Sequence, residues 1–127
     1  IFPEGLGTVL DEAAAYKLPI VVTENGLADA SDANRPRYLA EHLYEIGDAV
    51  RRGADVRGYF HWSLLDNFEW ASGFCPRFGL ATYDPVTKKR TLRPSGATYK
   101  SLIRAGKVTR ADIDRTPAYT APKTSCN

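Results

Sequence analysis

The stretch Ile20–Gly26 constrains the fold of this chain more than any other. Its β-branched run, Ile20–Val22, predicts a short strand buried on both faces, as in parallel sheets. The strand leads directly into Thr23–Gly26, so that the Glu24 carboxylate lies at its carboxyl end, just before a loop. Parallel strands packed among helices carry catalytic groups at this end, which makes Glu24 a candidate functional residue. In isolation, the same residue would as readily begin a solvated turn.

A second strand follows after a single helix. The polar loop 25–35 offers Asp32 or Asn34 as a helix cap, Pro36 suits the first turn, and the helix is predicted from Arg37 to the last turn before Gly53. The positions expected on its packing face are Leu39, Leu43, Ile46 and Val50. Strand, helix and the next strand region, 55–65, predict one βαβ unit.

The remaining elements are predicted from similar patterns. A first helix follows Pro3, and a hairpin joins residues 77–83 to residues 89–92. Pro94 is expected to open a last helix. The residues assigned to the packing faces of these two helices are Leu6, Val9, Leu10 and Ala13 in the first and Tyr99, Leu102 and Ile103 in the last. Residues 107–127 are polar and are expected to form a loose tail.

Composition excludes several classes of protein. A chain of 127 residues with 43% hydrophobic and 25% charged residues suits one globular domain, and no apolar run approaches a membrane span. A net charge of +2 does not indicate nucleic-acid binding. The sequence contains no methionine, so we expect a piece of a longer polypeptide. Cys75 and Cys126 permit at most one internal disulfide and leave the compartment open, with the cytoplasm slightly favoured.

Aromatic and acidic residues cluster between Trp62 and Phe78. Two tryptophans lie eight residues apart, and the second, Trp70, follows Glu69 directly. Sugars donate hydroxyl protons to carboxylates and stack their C–H faces on aromatic rings, so this cluster suits a carbohydrate site. The alternative is that the tryptophans and Phe68 are core aromatics and that Glu69 is a surface charge.

Longer motifs bear on these alternatives. The stretch Trp62–Trp70, followed by Arg77–Leu80, closely resembles the C-terminal signature of glycoside hydrolase family 1, the β-glucosidase family. Thr23–Gly26 resembles the nucleophile motif of that family, and Ile1–Leu6 and Tyr38–Leu43 also fit it. The resemblance implies an α/β fold, namely the C-terminal part of a (β/α)8 TIM barrel comprising about the last two βα units plus a hairpin. Residues 1–106 would form this barrel segment, with 107–127 as the tail.

The resemblance also implies roles for individual residues. Glu24 matches the catalytic nucleophile of retaining β-glycosidases, which forms a covalent glycosyl-enzyme intermediate. Glu69 and Trp70 match residues that hold the sugar hydroxyls. Trp62 matches the aromatic platform beneath the sugar, and Phe78 matches the aromatic wall beside it. No metal ligand and no cofactor is implied, and the partners would be an unphosphorylated β-D-glycoside and the rest of the barrel.

One half of the catalytic pair is missing from this chain. The acid/base carboxyl of the family lies in a Thr-x-Asn-Glu-Pro motif on an earlier strand, and no Asn-Glu-Pro occurs here. The sequence therefore predicts either a glycosidase, active only when the chain is assembled with the N-terminal remainder, or a non-catalytic fragment that binds sugar weakly. A purely structural module is disfavoured, because the candidate residues fall at strand ends or just after them.

Overall fold

The computed structural model describes residues 1–121, so that Cys126 lies outside the described part. Its helices are α1 (Glu4–Ala14), α2 (Arg35–Arg51), α3 (Pro94–Ala105) and α4 (Arg110–Asp114), with a 3₁₀ turn at Trp70–Ser72. Its strands are β1 (Ile20–Asn25), β2 (Val56–His61), β3 (Ala81–Tyr83) and β4 (Arg90–Leu92). The described elements therefore form a small α/β structure.

The first two strands form a parallel pair. Ile20 lies opposite Val56, and Asn25 lies opposite His61. Helix α2 connects the two strands along the chain, which confirms the predicted βαβ unit. Because the strands are parallel, their carboxyl ends lie at the same edge of the sheet.

The two faces of this parallel pair differ in burial. On one face, Leu10 of α1 and Ala49 of α2 are buried in a cluster that Ile20 and Val22 join. On the other face, Val21 and Phe60 are 48% and 63% exposed. The prediction of a strand buried on both faces is therefore wrong for residues 1–121, since none of the described elements covers these two side chains.

The helices differ from the predicted ones in detail. Helix α2 begins at Arg35 rather than Arg37, and the Asn34 side chain does not cap it. Instead, the main-chain N–H of Asn34 donates to a carboxylate oxygen of Asp29 at 2.8 Å. Val50 is exposed and the neighbouring Ala49 is buried in its place. Val9 in α1 is also exposed, so its assignment to the packing face is wrong. Hydrophobic spacing predicts a stripe of apolar residues on a helix but not which of them a neighbouring element covers.

The C-terminal half contains the predicted hairpin. Strands β3 and β4 pair in antiparallel fashion, with Thr82 opposite Thr91. Helix α3 begins at Pro94, and Leu102 is buried against α2 and α4. Ile103 is 61% exposed, so its assignment to the packing face is wrong for the described chain.

Residues after Gly106 are not a loose tail within the described part. Helix α4 begins with a capping box, in which Thr109 and Asp112 exchange hydrogen bonds, and it buries Ile113 against α2 and α3. Further on, the Tyr119 hydroxyl donates to a carboxylate oxygen of Glu41 at 2.5 Å. The expectation of a loose segment is wrong for residues 107–121, because the capping box, the burial of Ile113 and the Tyr119 hydrogen bond hold this polar segment in place.

Candidate functional site

The predicted nucleophile lies at the shared edge of the parallel strands. Glu24 is the next-to-last residue of β1 and its side chain is exposed. The following residue, Asn25, accepts a hydrogen bond from the Trp62 amide through its main-chain oxygen at 3.0 Å. This contact brings the end of β1 and the first residue after β2 together.

Trp62 and Glu69 are in direct contact. The indole Nε1 of Trp62 donates to Glu69 Oε1 at 3.2 Å, and both residues are half-buried. The Glu69 amide donates to the Gly73 carbonyl at 2.6 Å, which closes the loop that carries the carboxylate. Trp70 lies in the same loop, but its side chain is 85% exposed and does not pack into the core.

The main chain around Phe78 runs alongside the residue that follows Trp62. The Ser63 amide donates to the Phe78 carbonyl at 3.3 Å, and the Leu80 amide donates to the Ser63 carbonyl at 2.9 Å. Phe78 itself is half-buried. The structure therefore ties the backbone of the Phe78 segment to that of the Trp62 segment.

Glycine is required at position 26 by this close packing. A side chain built on Gly26 would collide with the carbonyl oxygen of Trp62. The adjacent Asn25 side chain accepts a hydrogen bond from the Tyr59 hydroxyl at 3.0 Å, and burial raises the pKa of that hydroxyl. The Glu-Asn-Gly sequence thus has a packing reason at two of its positions, independent of any chemistry at Glu24.

A network of an ion pair and hydrogen bonds around Arg35 was not predicted from the sequence. Arg35 is fully buried and pairs with Asp32, while its Nη2 donates to the carbonyls of Asp29 at 2.6 Å and of Arg77 at 2.5 Å. Burial opposes ionisation of Asp29, but hydrogen bonds from Ser31 and Asn34 and the charge of Arg35 lower its pKa overall. Two aspartates just before a helix-opening arginine were the available signal, because a buried arginine needs paired carboxylates.

A second network joins three loops and was also missed. Asp66 is buried; its two carboxylate oxygens accept from the Nη1 and Nη2 atoms of Arg93 at 3.0 and 2.9 Å. The same carboxylate accepts from the Gly79 amide at 3.0 Å. Asp66 lies in the segment Trp62–Phe78 that suggested a carbohydrate site, but in the structure its carboxylate holds the main chain at Gly79.

Burial and charge also affect His61 at the end of β2. Burial, the charge of Arg35 and, to a smaller extent, His42 lower the pKa of His61 to about 4, against an opposing contribution from the Phe78 carbonyl. The imidazole is therefore neutral at physiological pH. It lies on the helix-covered face of the sheet, near Tyr99, whose ring centroid is 6.2 Å away.

Residues 1–121 contain neither a candidate metal site nor a membrane-spanning helix. No group of three or more His, Cys, Asp or Glu side chains in this part of the chain is arranged to hold a metal ion. None of the helices described there has the length and apolar character needed to cross a lipid bilayer.

Comparison with known sequences identifies related proteins. The model of glycosyl hydrolase family 1 matches residues 1–108. The β-galactosidase of Saccharolobus solfataricus is 51% identical over 109 residues, which are 85% of this chain and 22% of that protein. β-Glucosidase A of Thermotoga maritima is 38% identical over 115 residues, covering 82% of this chain and 26% of that protein. The chain thus spans between about a fifth and a quarter of the length of these relatives.

Solved structures show the same relationship in three dimensions. The hyperthermophilic β-glucosidase of Pyrococcus furiosus superposes with a TM-score of 0.83 at 49% identity, over 87% of this chain and 24% of that one. The β-glycosidase of Thermosphaera aggregans superposes with a TM-score of 0.85 at 41% identity, over 92% and 25%. The arrangement of the described elements is therefore that of a segment of these glycosidases.

Proposed function

The chain belongs to glycosyl hydrolase family 1, and from this premise we propose that it forms part of the active site of a retaining β-glycosidase. The observation that carries the proposal is the meeting of two strand ends at one sheet edge. There Glu24 lies one residue before the Asn25–Trp62 contact, and Trp62 in turn binds Glu69. Catalytic groups of parallel α/β barrels lie at this edge.

We propose that residues 1–106 are the C-terminal segment of a (β/α)8 barrel and that residues 107–121 lie outside the barrel. Support comes from the length of the chain relative to its relatives and from the exposed face that carries Val21 and Phe60. Each of the two parallel strands also has one edge without a described partner strand. Unpaired edges and an open apolar face need covering, and the remaining barrel strands would supply it.

In this proposal, Glu24 attacks the anomeric carbon of a β-glycoside. The bond from that carbon to the leaving group breaks while a new ester bond to the Glu24 carboxylate forms. A second carboxyl, contributed by the missing part, protonates the leaving oxygen and then removes a proton from the attacking water. Water then cleaves the ester and restores the Glu24 carboxylate, so that the anomeric configuration of the sugar is retained.

The other candidate residues would bind the sugar. Trp62 is proposed as the platform beneath the ring and Phe78 as the wall beside it, because aromatic faces stack on sugar C–H groups. Glu69 and Trp70 are proposed to bind hydroxyls. The indole contact already orients the Glu69 carboxylate, which leaves its other oxygen available as an acceptor for a sugar hydroxyl.

The proposed substrates are unphosphorylated β-D-glycosides, with glucosides favoured. Glu69 would place a negative charge beside the outer hydroxyls of the sugar, where it accepts hydroxyl protons in charge-assisted hydrogen bonds. A 6-phosphate would bring like charge against this carboxylate in a poorly hydrated pocket, which is costly. β-Glucosidases and β-galactosidases are among the named relatives.

A second candidate function follows from what the chain lacks. Without the Asn-Glu-Pro carboxyl it would bind sugar weakly and catalyse nothing. An assay on a nitrophenyl β-glucoside separates the two candidates. We define the assembled barrel as this chain combined with the part of the Saccharolobus solfataricus β-galactosidase that it does not match, either fused or as two polypeptides.

The assembled barrel should release nitrophenol, whereas the chain by itself should not. An inactive but folded assembled barrel would favour the non-catalytic candidate. The intact mass of the purified natural material provides an independent observation, because a larger polypeptide that co-purifies with the chain would supply the missing part.

A further inference from the structure

Two arginines hold the main chain on either side of Phe78. Arg35, the first residue of α2, donates from Nη2 to the Arg77 carbonyl at 2.5 Å. Arg93, at the N-cap position directly before α3, donates from Nη1 to the Gly79 carbonyl at 2.5 Å. The residues immediately before and after Phe78 are therefore each fixed by a guanidinium group from the start of a different helix.

Each arginine is itself held by a carboxylate. Arg35 pairs with Asp32, whose other oxygen accepts from the Ser95 amide at 2.8 Å in the first turn of α3. Arg93 forms a two-pronged pair with Asp66, which also accepts from the Gly79 amide. These contacts link the starts of both helices to the loop that carries Phe78.

Stability alone is a weak reason to bury these pairs. Taking an arginine and a carboxylate out of water costs about as much as their attraction returns, and apolar residues of similar volume often stabilise a protein more. A planar guanidinium held by two parallel hydrogen bonds does, however, fix direction as well as distance. The pairs are thus better suited to fixing geometry than to adding stability.

Further hydrogen bonds restrain the main chain of residues 77 and 78. The Arg77 carbonyl also accepts from the Asp29 amide at 3.0 Å, and the Phe78 carbonyl accepts from Ser63, directly after Trp62. The backbone that carries the Phe78 side chain is therefore fixed relative to the backbone that follows Trp62.

We propose that Arg35 and Arg93 are positioning residues that fix the Phe78 ring relative to Trp62 and so set the width of the sugar site. This inference rests on the proposed function, because it assigns Phe78 to the wall of that site. Neither arginine is proposed to touch the substrate; both act through the backbone of residues 77–79.

The test uses the assembled barrel and a double-mutant cycle. Arg93→Lys and Arg35→Lys keep the charge but lose the planar guanidinium that binds several acceptors at once, and each should raise KM for nitrophenyl β-glucoside about tenfold with kcat changed less than about twofold. In a Phe78→Ala background, the same substitutions should change KM less than about twofold, because the group through which they act is gone. Effects that add fully in that background would overturn the proposal.

Arg57→Lys is the matched control. Arg57 forms a pair with Asp55 at 2.8 Å, but both side chains are more than half exposed and lie at the opposite end of the strands. This variant should leave KM unchanged. If the Arg35 and Arg93 variants fail to fold, Asp66→Asn provides a variant of the same shape that weakens the Arg93 pair, with the same outcomes expected.

A fluorine label distinguishes failure of this inference from failure of the proposed function. With 4-fluorophenylalanine at position 78 of the ligand-free assembled barrel, the ¹⁹F resonance should broaden or split in Arg35→Lys and Arg93→Lys but not in Arg57→Lys. An unchanged resonance would overturn the inference whether or not the barrel hydrolyses glycosides. An assembled barrel that shows these spectral changes without turnover would overturn the proposed function alone.

Discussion

Two regions of the parallel strand pair differ in burial and hydrogen bonding. One is the edge where β1 and β2 end, and the other is the open face of the same strands. Near these strand ends, Arg35 at the start of α2 and Asp66 in the loop after β2 are buried and hydrogen-bonded to other groups of this chain. On the open face, Val21 and Phe60 remain exposed. Contacts within the chain thus fix the geometry of the strand ends, whereas no element of residues 1–121 covers the open face.

Forming part of a site and completing a barrel are therefore separate properties of the segment. A segment can carry the geometry of part of a site without being able to complete a barrel, because the hydrogen bonds at these strand ends join groups within the segment, whereas sheet closure needs further strands. Variants in the loops should therefore change chemistry and specificity. Variants on the open face should change assembly.

The largest expected effect concerns Glu24. In the assembled barrel, Glu24→Gln should lower kcat by at least about 1,000-fold, because an amide cannot attack the anomeric carbon. Azide should partly restore turnover in Glu24→Ala and give a glycosyl azide of inverted configuration. Glu12→Gln, at an exposed position of α1, serves as the control. Retention of even a tenth of the activity by Glu24→Gln would contradict the assignment.

The second prediction concerns assembly through the open face. Val21→Asp should weaken association of the two polypeptides of the assembled barrel by about 3–5 kcal/mol, or at least roughly 100-fold in Kd, because it would bury an unpaired charge. Val86→Asp is the matched control, since Val86 is 86% exposed in the β3–β4 turn. Titration calorimetry measures both. Equal losses for the two variants would show that Val21 is not at the interface.

The third prediction concerns the sugar specificity of the loop that carries Glu69. Glu69→Ser should lower kcat/KM for nitrophenyl β-glucoside by about 1.5–3 kcal/mol, or roughly 10- to 150-fold, through loss of a charged hydrogen bond. The same substitution should harm hydrolysis of the 6-phosphate less, since it also removes like-charge repulsion. A native preference for the phosphorylated substrate would refute the assigned substrate class.

The smallest expected effect is a pH dependence at the end of β2. The folded pKa of His61, about 4, lies below its usual value of 6.5, so the unfolded chain binds more protons between these values and stability falls as pH falls. This loss should be about 1 kcal/mol between pH 6 and pH 5. Burial also lowers the pKa of His42, so His61→Gln should remove only part of the dependence. Urea unfolding of the assembled barrel at both pH values, with and without the substitution, measures it.

The elements that sequence predicted well are those with short-range signals. The β-branched run before Glu24 and the single intervening helix predicted a parallel pair, which the Ile20–Val56 register confirms. The turn residues Asp84–Thr87 between two short runs of strand-forming residues predicted the hairpin, and Pro94 predicted the start of α3. These signals depend on neighbours within a few residues and therefore survive in an isolated segment.

The elements that it missed depend on distant partners. Arg35 precedes a proline in a polar loop and resembles a solvated residue, yet its burial depends on the Arg77 carbonyl, 42 positions away. Ile103 was placed on a packing face, but periodicity does not show which faces are covered. Tyr119 was assigned to a loose tail because residues 107–127 are polar. The contact of Tyr119 with Glu41 is also between residues far apart in the sequence.

Trapping of the covalent intermediate would identify the nucleophile directly. The assembled barrel is treated with dinitrophenyl 2-deoxy-2-fluoro-β-D-glucoside, which forms the ester with the nucleophile but slows its hydrolysis, and is digested with trypsin. We expect one fluoroglucosyl group, located on Glu24 in the peptide Leu18–Arg37, and none in Glu24→Gln. Labelling of any other residue, or continued turnover with no trapped ester, would contradict it.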